Sequence, residues 1–167
     1  MAAGHDRLTK EGKRFFAEIE ELCKLETRVG FQHGEATDEE SGADICDIAM
    51  WNELGTVGAP SRPFMRQSVD GNASQISAMC KAQLQLIAEG RATARKALMD
   101  IGNLQAGLIK HTIDSGDFVP NAPSTVKRKT TGKGGRLKGK GSKTAPLVDT
   151  GRMKQSVRFV IVPKGQD

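Results

Sequence analysis

The segment ISAMCKAQLQLIAEGRATARKALMDIGNLQAGLIKHTID, residues 76–114, decides the fold. Apolar residues recur in it every three or four positions, which is the spacing of amphipathic helices. Gly90 interrupts the pattern near the middle, and Thr93 can cap a second helix. The pattern therefore predicts a hairpin of two long helices over about 64–115. The apolar residues of the first helix are Ile76, Met79, Cys80, Leu84 and Ile87, and the residues that share one face of the second are Leu98, Ile101, Gly102, Gln105, Leu108, Ile109 and Thr112.

Two segments with an alternating pattern flank the helical region, at residues 25–32 and about 155–163. Alternation with period two is typical of strands. We expect the two strands to pair in a small antiparallel or mixed sheet that packs against the long helical hairpin, so the predicted fold class is α+β. The alternating residues are Leu25, Thr27, Val29 and Phe31 in the first segment, and Val157, Phe159 and Ile161 in the second.

Two further helices are predicted before the hairpin. The first is amphipathic and runs from about His5 to Cys23. The second is short, with Asp44 as its N-cap and Gly55 at its end, although a strand would also fit the same residues. Between the first strand and this helix, the acidic and turn-rich residues 34–42 predict an exposed loop. Gly102 lies on the apolar stripe of the hairpin, which indicates a site of close packing.

The chain of 167 residues and 18.0 kDa is predicted to form a single domain, 1–167. It contains no run of the roughly 18 to 20 apolar residues that would span a bilayer, and its first residues are polar. We therefore expect no membrane association and synthesis in the cytoplasm.

The charge of the chain is concentrated in one segment. Residues 121–144 carry eight basic side chains and no acidic one, and the remainder has 17 basic against 20 acidic residues. The sequence predicts an extended basic Gly/Lys-rich loop or arm over about 119–145, which docks on an acidic protein surface, contacts nucleic-acid phosphates or is merely solvated. The basic residues are Lys127, Arg128, Lys129, Lys133, Arg136, Lys138, Lys140 and Lys143.

The sequence offers no arrangement of residues typical of catalysis. The three histidines lack metal-ligand spacing, and the three cysteines include no CxxC pair. A glycine-rich stretch at residues 134–140 approaches a phosphate-binding loop, but Gly141 stands where a Ser or Thr is required. We expect a protein that is not an enzyme, with no catalytic residues, no cofactor and no metal.

Two segments resemble motifs of known proteins. Residues 48–65 contain IAMWNELGT followed by PSRPFM, and residues 146–157 read PLVDTGRMKQSV. Both, in this order, resemble motifs of the tailed-bacteriophage neck or tail-completion (head-tail joining) proteins, and the second also resembles a motif of the related Mu-like virion morphogenesis proteins.

This resemblance implies a structural virion protein that forms a ring at the head-tail connector and joins capsid and tail. The implied partners are further copies of the chain, six or twelve in a ring, and neighbouring connector and tail proteins, with possible non-specific contact with DNA in the channel. The implied location is the virion, after synthesis in the host bacterial cytoplasm. The alternative function is that of a basic nucleic-acid-binding accessory protein.

The two motifs supply six interface candidates. Glu53 and Arg62 could form a charge-assisted pair that fixes the proline-rich loop between them. Trp51 and Phe64 are either anchors for a partner or part of the chain's own core. In the second motif, the residues around Asp149 are either an interface or a turn into the last strand. The candidates are Trp51, Glu53, Arg62, Phe64, Asp149 and Arg152.

Overall fold

The computed structural model describes residues 8–39, 41–115, 117–131, 146–148 and 151–165. Over these ranges the chain is α+β, and its two strands form a small antiparallel sheet packed against the long helix α5, as predicted. In chain order the elements are α1 Lys10–Lys24, β1 Leu25–Gly30, α2 Ile45–Leu54, α3 Phe64–Asp70, α4 Ala73–Ala88, α5 Ala94–Ser115, α6 Pro123–Thr131, α7 Arg152–Gln155 and β2 Arg158–Pro163.

Among the described residues, one compact unit comprises 8–29, 72–105 and 159–165. In it α1 packs against α4, and Ile87 of α4 is completely buried. Thr93 caps α5 as predicted, since its hydroxyl accepts a hydrogen bond from the N–H of Lys96 at 3.3 Å. The carboxylate of Glu18 in α1 accepts another from the N–H of Ala94 at 2.7 Å. Two N–H groups at the start of α5 thus have side-chain acceptors, one on the neighbouring Thr93 and one on the distant Glu18.

The sheet approaches α5 at Gly102. A Cβ built on this glycine would lie 2.6 Å from the ring of Phe159 in β2 and 3.0 Å from the hydroxyl of Thr27 in β1. Real Cβ atoms do not come so close to other heavy atoms, so only glycine allows this separation. The close packing expected at Gly102 is confirmed.

The second compact unit comprises the described residues within 30–71 and 106–158. Its core forms around Phe64, which has no exposed surface and meets the ring of Phe31 edge to face at a centroid distance of 6.0 Å. Helix α7 packs against α2. The other buried apolar side chains are Ile45, Ala49, Ala106, Ile109, Ile113, Phe118, Leu147, Met153 and Val157.

Several boundaries differ from the sequence prediction: α1 begins at Lys10 rather than near His5, and β1 ends at Gly30 rather than at residue 32. The first helix of the hairpin is divided, because α3 ends at Asp70 and α4 begins after Asn72, which has non-helical dihedral angles. Part of the arm forms α6, since Pro123 lacks an N–H and suits the first turn of a helix. The last strand begins at Arg158 rather than near 155, because α7 occupies the preceding residues.

Candidate interaction surfaces

The first motif forms a helix end and a projecting loop that are tied together by hydrogen bonds. The last carbonyls of a helix have no partner within the helix. Here the carbonyl of Trp51 accepts from the N–H of Gly55 at 2.9 Å, and that of Asn52 from the N–H of Arg62 at 2.7 Å. The carbonyl of Glu53 accepts from the hydroxyl of Ser61 at 2.7 Å. Both ends of the loop are therefore fixed to the end of α2.

Glu53 caps the following helix instead of pairing with Arg62. Its carboxylate accepts hydrogen bonds from the N–H groups of Met65 at 2.8 Å and Arg66 at 3.1 Å, at the start of α3. Pro63, the residue in the N-cap position of α3, makes no side-chain capping bond. A negative charge at this end of a helix is favourable. The predicted pair of Glu53 and Arg62 is wrong, because the carboxylate is used by main-chain donors.

Arg62 is buried, with 7% of its surface exposed, and is bound by oxygens that carry no charge. Its Nε donates to the carbonyl of Val119 at 2.9 Å, and its Nη2 donates to the carbonyl of Pro120 at 3.4 Å and to Oδ1 of Asn121 at 3.3 Å. Burial lowers the pKa of this guanidinium from its ordinary value, although arginine remains charged in proteins. Arg62 thus fixes the residues that lead into α6, where the basic segment begins.

The loop between Gly55 and Ser61 ends in a tight turn. The main chains of Thr56 and Ala59 are joined by hydrogen bonds of 2.9 and 3.3 Å, which place Val57 at the tip with its side chain fully exposed. Gly55 is required at the base of the loop, because its φ is +81° and a Cβ would lie 2.8 Å from the nitrogen of Ser61. The loop is a fixed projection of the second unit.

Four apolar side chains are exposed on this projection and on the neighbouring face of α2. Met50 is 49% exposed, Trp51 46% and Leu54 66%, and Val57 lies at the tip of the loop. We call this group, Met50, Trp51, Leu54 and Val57, the apolar knob. Phe64, by contrast, belongs to the chain's own core. Of the two aromatic candidates of the first motif, only Trp51 is accessible to a partner.

The second motif binds the acidic loop that precedes α2. Arg152 donates to the carbonyl of Thr37 at 2.8 Å and to the carboxylate of Glu39. Arg158, the first residue after the motif, lies 3.4 Å from the carboxylate of Glu35. The acidic loop is therefore partly neutralised within its own unit. Asp149, the remaining candidate of this motif, lies outside the described residues.

Asp44 fixes the other end of the acidic loop, as expected from its N-cap position. Its carboxylate accepts hydrogen bonds from the N–H groups of Gly34 at 2.5 Å and Cys46 at 2.7 Å. These two bonds hold the pKa of Asp44 below its ordinary value, and the nearby His33 adds to the shift. Burial raises the pKa of the adjacent Cys46 thiol.

The basic segment is described only at its beginning. Lys127 is exposed on α6, and Arg128 and Lys129 follow it in the same helix. The other five basic residues of the arm lie outside the described residues: Lys133, Arg136, Lys138, Lys140 and Lys143.

No further type of site stands out in the described part of the chain. Among those residues, no three His, Cys, Asp or Glu side chains are grouped closely enough to hold a metal ion. In the same ranges, no helix has both the length and the apolar character needed to cross a membrane. No protein-family model matches the chain, and no curated protein or solved structure is significantly similar to it.

Proposed function

We propose that the chain is a structural, non-enzymatic protein of a tailed-bacteriophage virion. In this proposal it forms a homo-oligomeric ring of six or twelve copies at the head-tail connector, between the capsid and the tail. The resemblance of the two motifs supports this assignment, and the exposed apolar knob is the observation that carries it.

The knob supports an assembly role because the rest of its motif has an internal function. Glu53 caps α3, Ser61 holds the loop, Arg62 binds residues 119–121 and Phe64 fills the core. The side chain of Trp51 is nearly half exposed among further exposed apolar groups. Exposed apolar patches on soluble proteins mark interaction sites, and a fixed loop loses little entropy on docking. Such a surface suits a subunit whose function resides in its interfaces.

The proposal implies two kinds of protein partner and no cofactor. One is a second copy of the chain, since a ring requires each copy to offer two different complementary surfaces. The other is a neighbouring connector or tail protein. The protein would be made in the cytoplasm of the host and would act in the virion, where the basic segment could also contact DNA in the channel.

Electron microscopy of a phage lysate tests the proposal. A stop codon at Trp51 in the parent phage should give separate heads and tails, and supplying the intact chain in trans should restore joined particles. Trp51→Ser should reduce joining, whereas Met99→Ser, at a side chain that is 45% exposed on α5, should not. Normal joined particles from the stop-codon phage would contradict the proposal.

Nucleic-acid binding is the second candidate, and the run of eight basic residues without an acidic one favours it. Binding through several phosphate contacts weakens steeply as salt rises. A titration with duplex DNA should therefore show binding at about 50 mM salt that is largely lost at about 200 mM. Absence of binding at the lower concentration would eliminate this candidate.

A further inference from the structure

We propose that the apolar knob of one copy docks on the outward face of helix α4 of a second copy. This inference rests on the proposed ring and names its two complementary surfaces. The knob provides the projecting surface, and α4 provides the receiving one.

Helix α4 exposes a surface with very little charge. Ten of its sixteen residues are exposed, and Lys81 is the only charged one among them, although 27% of the whole chain is charged. Leu84 is 48% exposed on this surface. The centres of protein interfaces are depleted in charged residues and enriched in apolar contacts. The low charge of this face, with Leu84 exposed on it, therefore suits the centre of an interface.

The knob and α4 also have complementary charges. On α2, Asp47 precedes Met50 by three residues and Leu54 by seven, so it lies on the same helix face as the knob. Its side chain is 40% exposed, with His33 at 4.0 Å. On α4, Lys81 precedes Leu84 by three residues and shares its face. Each apolar surface is thus accompanied by one charge, acidic on the knob and basic on α4.

These surfaces are different, so the contact is heterologous. A heterologous contact leaves one free knob and one free α4 face on every dimer, and addition continues until the ring closes. A contact of knob with knob would instead stop at the dimer. The acidic loop at residues 34–42 is a weaker candidate for the second surface, because Arg152 and Arg158 already engage it.

Two variants of the full chain test the inference by sedimentation velocity. Leu54→Arg damages the knob and Leu84→Arg damages α4, and both positions are exposed, so the fold should be retained by circular dichroism. At about 1 mM the wild-type chain should form species larger than dimers. For each variant alone, the association constant between copies should be at least about tenfold lower than for the wild-type chain. An equimolar mixture should form dimers and nothing larger, since only one intact pair of surfaces remains.

A matched control and a charge exchange sharpen the test. Met99→Arg, at an exposed position of α5, should assemble like the wild-type chain. Asp47→Lys and Lys81→Asp should each weaken assembly, and the double variant should restore it.

Two results would overturn the inference. If the wild-type chain assembles and Leu84→Arg assembles equally well, α4 is not the receiving surface, while the proposed ring stands. If the wild-type chain stays monomeric at about 1 mM, no such contact between copies exists. The lysate experiment then decides independently whether the protein acts at the head-tail junction.

Discussion

The carboxylate of Glu53 accepts a 2.8 Å hydrogen bond from the main-chain N–H of Met65. A side chain at the end of α2 therefore caps the beginning of α3. Both ends of the loop between the two helices are held by hydrogen bonds to the end of α2. This arrangement separates the structural members of the first motif from those that remain available to a partner.

Replacing Glu53 by alanine should lower the free energy of unfolding by about 1 to 2 kcal/mol, because two N–H groups at the start of α3 lose their acceptor. Glu53→Gln keeps an acceptor oxygen and should cost less. Denaturant unfolding of the purified chain measures both effects. Glu20→Ala, at an exposed position paired with Lys24, is the control and should change stability much less than Glu53→Ala. An equal loss in Glu20→Ala and Glu53→Ala would contradict the capping role.

Gly102→Ala should destabilise the protein by about 1 to 3 kcal/mol, since its Cβ would overlap the ring of Phe159. Gly107→Ala is a matched control in the same helix, because a Cβ there meets nothing within 4 Å. That change should instead stabilise the helix by up to about 1 kcal/mol. Thermal and denaturant unfolding show whether each substitution lowers or raises the free energy of unfolding. Combining Gly102→Ala with Phe159→Leu should recover part of the loss, whereas strictly additive losses would indicate that the ring is not the obstacle.

Arg62→Lys should destabilise the protein by about 1 to 3 kcal/mol, although the charge is kept. A lysine ammonium lacks the planar fork that reaches Val119, Pro120 and Asn121 together. Amide hydrogen exchange should also become faster at the start of α6. Arg66→Lys, at an exposed position of α3, should leave both measurements unchanged. Unaltered exchange in Arg62→Lys would show that Arg62 does not fix this segment.

Acid should remove the stabilisation that Asp44 provides. Because the pKa of Asp44 is lower in the folded protein than its ordinary value of 3.8, its carboxylate stabilises the fold at higher pH. That contribution is lost as the pH falls through the folded-state pKa. The difference in unfolding free energy between the wild-type chain and Asp44→Asn should therefore shrink from about pH 5 to about pH 2.5. Asparagine is a suitable substitute because it can still cap α2. A constant difference across this range would show that protonation of Asp44 does not affect stability.

Local signals in the sequence predicted much of the fold. The caps at Asp44 and Thr93 and the regular spacing of apolar residues locate α2 and α5, because both signals depend on neighbours within one or two turns. The pairing of β1 with β2 also followed from pattern alone. The break before α4 was missed because apolar spacing resumes on its far side. Helix α6 was missed because Pro123–Thr131 is mostly polar and basic, with Val126 as its one large apolar side chain.

The candidate site was harder to predict, since it depends on contacts between segments that are distant in sequence. Glu53 and Arg62 have opposite charges and lie nine residues apart, which favoured a pair, yet each side chain meets main-chain groups of another segment. The exposure of Trp51 did leave a signal in the sequence. Helix α2 has apolar residues on more than one face, and only one face of a helix can pack against the core of the unit. That face contains Ile45 and Ala49, so the apolar residues on the other faces stay exposed.

The pairing of β1 with β2 has a consequence for how the protein is made. Thr27 in β1 donates to the carbonyl of Val160 in β2, and 133 positions separate them. During translation, β1 therefore cannot pair with β2 until almost the whole described chain has been made. Contacts of such sequence separation also slow folding. Until then, the main-chain groups of β1 lack their partners and the surface of α5 at Gly102 lacks the ring of Phe159. Copies made side by side on one messenger RNA meet while these groups are open, so wider spacing between nascent chains should favour correctly closed monomers.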